Sequence, residues 1–180
     1  EKIINHWGVI NGIVANAGAI KKVHALDIVK EDWNWYIKYN FDVAVRFVQN
    51  FYKYLHENMG SIVFISSIAG MEDVGAPIPY SVSKAALNVY SKSLAKRLGQ
   101  VGIRVNIVSP GNILFSGGNW DKKRHSNPKD VDKMLSEKVP LQSFGNPIDI
   151  GNVVAFLLSD KAKFITGSNI VIDGGQTISF

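Results

Sequence analysis

Three side chains near the middle of the chain have the types and spacing for proton chemistry at an oxygen: Ser67, Tyr80 and Lys84. In the stretch Tyr80-Ser81-Val82-Ser83-Lys84 the tyrosine and the lysine share one face of a helix. An ammonium there can lower the pKa of a phenol that otherwise titrates at about 10. A phenol tuned in this way is a usable general acid near neutral pH. Ser67 follows Ser61-Ile62-Val63-Phe64-Ile65-Ser66, which reads as a buried strand, so its hydroxyl is expected at the strand's carboxyl end. Ligands of open α/β sheets bind at such ends. A serine and a tyrosine converging there can hydrogen-bond one substrate oxygen, as carbonyl reduction or alcohol oxidation requires. Neither is placed like an activated nucleophile.

Hydrophobic periodicity marks the elements that must position these groups. Glu1 to Trp7 reads as the end of a helix stopped at Gly8, and Ile10 to Ala15 as a short strand. Asn16-Ala17-Gly18 then makes a turn whose small residues allow close backbone approach. A long amphipathic helix is expected from about Lys30 to Glu57, interrupted on its apolar side by Asn40, a polar amide that needs partners if buried. Another helix runs from near Tyr80 to near Gly99, and a strand covers Ile103 to Val108 and is stopped by Pro110. From Asn112 to Lys138 the chain reads as a long loop with a short helix after Asn127-Pro128. Within it Phe115 and Trp120 could cover an organic substrate, and Lys122, Lys123 or Arg124 could meet an anionic group on it. Asn146-Pro147 caps a further helix, and Asn169 to Ile172 forms a last strand before Asp173-Gly174-Gly175. With no linker or repeat, one domain is expected over residues 1–180.

Composition narrows the classes. A chain of 180 residues that is 46% hydrophobic suits one domain with a core of its own. No apolar run approaches a membrane span and Glu1 to His6 lacks a signal-peptide layout, so a cytoplasmic protein without a membrane partner is expected. With no cysteine there is neither disulfide nor thiolate zinc site, and His6, His24, His56 and His125 are scattered, so no metal is expected. The net charge of +5 is dispersed over helices and loops, with only Lys21-Lys22 and Lys122-Lys123-Arg124 adjacent. That distribution argues against a nucleic-acid partner and reads first as solvated faces, with attraction of a phosphate-bearing cofactor or an anionic substrate as the alternative use.

Taken together, Ser67, Tyr80-x-x-x-Lys84 and their surroundings resemble the classical short-chain dehydrogenase/reductase family. Ala15-Asn16-Ala17-Gly18 resembles the family's Asn-Asn-Ala-Gly motif, Asn40 its catalytic asparagine, Asn106 to Gly111 its Pro-Gly motif, and Asp173-Gly174-Gly175 its C-terminal signature. The resemblance implies a Rossmann-type doubly wound parallel α/β sheet and an oxidoreductase that moves hydride between NAD or NADP and a small-molecule alcohol or carbonyl compound. It implies Tyr80 as proton donor and acceptor, Lys84 as its tuner and ribose ligand, Ser67 as the group that orients substrate, and Asn40 as organiser of a proton relay through water. Asn16, Ala17, Gly18, Pro110, Gly111 and Ile113 would border the cofactor with Tyr80 and Lys84, and the two long helices would build a homodimer or homotetramer. Two departures are visible. Phe115, followed by Ser116, stands where the family usually has threonine, and no Gly-rich G-x-x-x-G-x-G turn occurs. The chain thus reads as the latter part of the fold, with roughly 70 residues of strand-helix-strand units unaccounted for. Either these belong to a longer protein or this is a truncated relative, and in the second case a catalytically silent binding or scaffold protein is the alternative.

Overall fold

A computed structural model of the chain describes residues 2–23, 26–55 and 60–178. Four parallel strands, β1 (Gly12–Ala15), β2 (Ser61–Ile65), β3 (Arg104–Pro110) and β4 (Asn169–Ile172), form one sheet in that order. Register is fixed by Ala15 opposite Phe64, Ile65 opposite Val108 and Pro110 opposite Ile172. Parallel neighbours need crossovers, and helices supply them: α2 (Lys30–Ile37) and α3 (Val43–Phe51) between β1 and β2, and α4 (Ile78–Leu98) between β2 and β3. Between β3 and β4 come α5 (Asn119–Ser126), α6 (Pro128–Lys138) and α7 (Pro147–Leu158), while α1 (Lys2–Trp7) precedes β1.

Both faces of the sheet are covered, which is why β2 is apolar along its length rather than alternating. Ile62 and Phe64 pack with Ile13, Val105 and the helix residues Ala44, Val48 and Leu87 on one face. Val63 and Val108 pack with Leu157 of α7 on the other. Helices on both faces of a parallel sheet make the doubly wound α/β arrangement expected from the sequence.

The long central helix is not continuous. Lys38–Asp42 forms a π-helical turn between α2 and α3, and Tyr52–Tyr54 tightens into a 3₁₀ turn after α3. The expected end at Glu57 lies outside the described residues, as do His24 and His56. A π turn inserts one residue into the helical ladder, and here that residue set contains Asn40. Two further boundaries differ from the sequence reading. β3 continues through Pro110, because the Gly111 N–H supplies the next ladder bond to the Ile172 carbonyl and β2 has already ended opposite Val108. A proline at that position therefore interrupts no pairing. The segment read as loop contains α5, whose polar, basic sequence gives no apolar stripe by which to recognise it.

Close approach sets where β2 delivers its end. A Cβ on Gly70 would stand 2.7 Å from the Lys84 carbonyl carbon and 2.8 Å from the Ala85 nitrogen, both backbone atoms of α4. Gly70→Ala is expected to lower stability by about 1–3 kcal/mol in urea titration, because α4 and the turn after Ser67 must separate. An unchanged midpoint would show that this contact is not tight.

Candidate active site

Ser67 leaves β2 in an extended conformation and caps a 3₁₀ turn (Ile68–Gly70), its Oγ accepting from the Ala69 N–H at 3.2 Å. The preceding Ser66 is tied on both sides: its N–H donates to the Val108 carbonyl at 2.8 Å and its hydroxyl to the Lys84 carbonyl at 3.3 Å. These bonds hold the end of β2 against β3 and α4 together. Pro77 precedes α4 and Pro79 lies in its first turn, where a missing N–H costs nothing. Tyr80 sits in that turn, and Lys84 follows one turn later.

Burial pushes the Tyr80 pKa above its ordinary value; the nearby Ser67 hydroxyl opposes this and the neighbouring Tyr36 adds to it. Lys84 is 4% exposed, and burial pushes its pKa down to about 8. Its ammonium donates to the Ile65 carbonyl at 3.0 Å and lies 5.8 Å from the centroid of the Tyr80 ring. The lysine thus shares a face with Tyr80 as the spacing requires. In this geometry desolvation dominates, so the phenol is pushed up rather than down and is protonated at neutral pH.

Behind Lys84 stands Asn40, which is fully buried. Its carboxamide clamps one residue from both sides, Oδ1 accepting from the Ala19 N–H and Nδ2 donating to the Ala19 carbonyl, each at 2.9 Å. Nδ2 also reaches the Tyr36 carbonyl at 3.2 Å, across the π turn. Tyr36, which the apolar periodicity of the sequence does not single out, is fully buried too. Its hydroxyl donates to the Lys21 carbonyl and accepts from the Lys21 N–H at 3.1 Å, and its ring meets that of Tyr80 edge to face at 6.4 Å. The only sequence signal for it is its i, i+4 relation to Asn40. Together the two residues fix the backbone from Ala19 to Lys21 against α4. Gly18 passes so close that a Cβ would lie 3.2 Å from Asn40 Oδ1 and 3.4 Å from Lys84 Nζ.

Ser67, Tyr80, Gly111, Ile113, Phe115 and Trp120 line one cleft of about 340 Å³. Pro110 ends β3 beside it, and Gly18, Asn40 and Lys84 stand behind the Tyr80 wall. Asn16 and Ala17 are exposed past β1, and the Asn16 side chain makes no hydrogen bond among the described residues. Of the basic trio, Lys123 lines the cleft and Lys122 and Arg124 do not. A larger recess of about 590 Å³ beside Trp7, β1 and Phe47 contains no titratable side chain and lies apart from this chemistry. Among the described residues no group of three potential metal ligands comes together, and no helix is long and apolar enough to cross a membrane.

A doubly wound sheet with a serine, a tyrosine and a buried lysine at the carboxyl end of its second strand is the arrangement of a family. The family model described as Enoyl-(Acyl carrier protein) reductase matches residues 1–177, and the chain belongs to the short-chain dehydrogenase/reductase family. It is 36% identical over 181 residues to Oxidoreductase UcpA of Salmonella typhimurium, covering 95% of this chain and 66% of that one. It is 31% identical over 177 residues to the 3-oxoacyl-(acyl-carrier-protein) reductase FabG of Staphylococcus epidermidis, covering 98% and 70%. The structure of L-sorbose reductase from Gluconobacter frateurii complexed with NADPH and L-sorbose superimposes with a TM-score of 0.89 at 26% identity, covering 99% of this chain and 71% of that chain. The chain thus spans 66% of the length of the UcpA relatives it matches.

The buried ammonium has a thermodynamic signature. The folded pKa of Lys84, about 8, lies below its ordinary 10.5, so between those values the unfolded chain holds a proton that the native one lacks. Stability therefore rises with pH from about 8 toward 10, recovering a burial penalty on the order of 3 kcal/mol. Lys84→Met should abolish that rise in urea titrations at successive pH values; a variant that keeps it would place the titration elsewhere.

Proposed function

We propose that this chain is the C-terminal portion of an NAD(P)-dependent oxidoreductase that interconverts a carbonyl and an alcohol, folded as a single domain over residues 1–180. The observation that carries the reading is the opening of the Ser67 and Tyr80 hydroxyls into one cleft, with a buried ammonium directly behind. The residues fit a dinucleotide. Lys84 has three hydrogens to donate and one acceptor among the described residues, the Ile65 carbonyl, so donors remain for ribose hydroxyls. Gly18 leaves open the space beside Lys84 and Asn40 that a side chain would fill. Asn16, Ala17, Gly18, Pro110, Gly111 and Ile113 would border the cofactor with Tyr80 and Lys84. Relatives that are reductases, one of them solved as an NADPH complex, support the same class.

When bound, NADH or NADPH supplies hydride to the carbonyl carbon, and the oxidised cofactor accepts it in the reverse direction. The chain manages the oxygen. Ser67 donates to it and holds it beside the Tyr80 hydroxyl. Tyr80, kept protonated at neutral pH by burial, gives its proton to that oxygen in reduction and takes it back in oxidation. Lys84, charged below pH of about 8, stabilises the phenolate left behind. Asn40 is a positioning residue: with its carboxamide committed to Ala19 and Tyr36, any contribution to a proton relay passes through the backbone it holds. A cytoplasmic homodimer or homotetramer belongs to the same reading.

In the intact protein, Tyr80→Phe should lower kcat for reduction by about 100-fold or more while fluorescence titration finds NADH or NADPH binding unchanged. Full turnover in that variant would overturn the mechanism. Absence of nucleotide binding in the unaltered protein would favour a silent scaffold instead.

A further inference from the structure

A second recess, about 560 Å³, adjoins the catalytic cleft. The two share Ile20, Gly75, Ala76, Pro77, Asn119 and Lys123 in their walls, so a molecule seated at Ser67 and Tyr80 can extend into it without leaving the protein surface. Its charged lining residues are Lys21, Lys22 and Lys123, with no aspartate or glutamate. The lysines are not equivalent. Lys21 is held by Asp32 at 2.5 Å, lies 5.1 Å from the Trp35 ring and carries the backbone clamped by Tyr36. Lys22 and Lys123 have no carboxylate partner among the described residues, and Lys123 is steered over the Trp120 ring at 4.4 Å, at the boundary between the two cavities. Asn119 and Lys123 lie one turn apart on α5 and present an amide and an ammonium to the same space. None of Asn16, Ala17, Gly18, Pro110, Gly111 and Ile113 lines this recess, so its charge is not directed at the cofactor.

We infer that the substrate is an extended oxo or hydroxy compound bearing an oxyanion, a carboxylate or phosphate, that Lys22 and Lys123 receive while its reacting oxygen lies between Ser67 and Tyr80. The inference rests on the oxidoreductase reading, which places that oxygen. Two cations on the rim of one recess, both exposed and free of carboxylates, can give charge-assisted hydrogen bonds that a neutral analogue cannot make, and the bonds from Asn40 to Ala19 and from Tyr36 to Lys21 hold the backbone that leads into Lys22 before binding.

The test uses the intact protein with NADH or NADPH and three pairs of probes: 4-oxopentanoate, 6-oxoheptanoate and 9-oxodecanoate, each with its methyl ester. Calorimetric titration should find at least one acid bound about tenfold or more tightly than its ester, with the advantage shrinking as salt is raised. Lys22→Gln with Lys123→Gln should remove that advantage by weakening the acid about tenfold more than the ester, while nucleotide affinity stays unchanged and shows that the variant is folded. Equal binding of acid and ester in all three pairs overturns the inference, as does an acid preference that survives in the double variant. Turnover of the same probes decides the underlying reading separately: esters reduced without any acid preference leave the oxidoreductase standing and remove only the anion site.

Discussion

The organisation of the site depends on keeping one ammonium out of water. Lys84 is held at the junction of β2, α4 and the turn after β1, and burial costs its charged form enough to bring its pKa down to about 8. That cost is met by a specific surround: the Ile65 carbonyl at the end of β2, the ring of Tyr80 one turn before it, and the glycine backbone at Gly18. Each of those neighbours has its own constraint. The end of β2 is pinned through Ser66 to both β3 and α4, and Gly70 allows α4 to approach the turn that follows. A structure that places a poorly solvated cation beside a phenol keeps a stability deficit at the place where chemistry is proposed.

The π turn at Asn40 is the second device. An unbroken helix from Lys30 to Phe51 would present a continuous apolar stripe to the sheet and leave a buried amide without obvious partners. The widened turn lets Asn40 span from the Tyr36 carbonyl to both backbone groups of Ala19, so the loop after β1 is tied to the central helix by two bonds from a side chain that a third bond anchors within the helix. Tyr36 repeats the arrangement one turn earlier on Lys21. These two buried polar residues give a glycine-containing loop a defined path past Lys84, and the same path carries Lys21 and Lys22 to the recess beside the cleft.

Much of this was legible in the residues. The periodicity placed most of the strands and helices, the family resemblance implied a parallel sheet with helices on both faces, and that is the architecture found. The reading failed where local pattern carries no information. α5 is too polar to show an apolar face, and the prolongation of β3 through Pro110 depends on which neighbour has ended. Tyr36 was invisible because its hydroxyl answers to the backbone of Lys21, a partner fifteen residues earlier. The direction of the Tyr80 shift was not legible either: spacing brings a lysine to the same face but says nothing of how much water the fold removes from both groups.

By itself the sequence determined which groups share a face and which strand delivers the serine, because helical and extended periodicities are local properties of the backbone. It also determined the family, since the motifs in order along the chain are sequence objects. Only the tertiary structure decided what those groups experience. Burial, the π turn, the clamp on Ala19 and the joining of two cavities across Ile20 and Lys123 arise from segments far apart in the chain, and the balance between desolvation and charge is set by that packing.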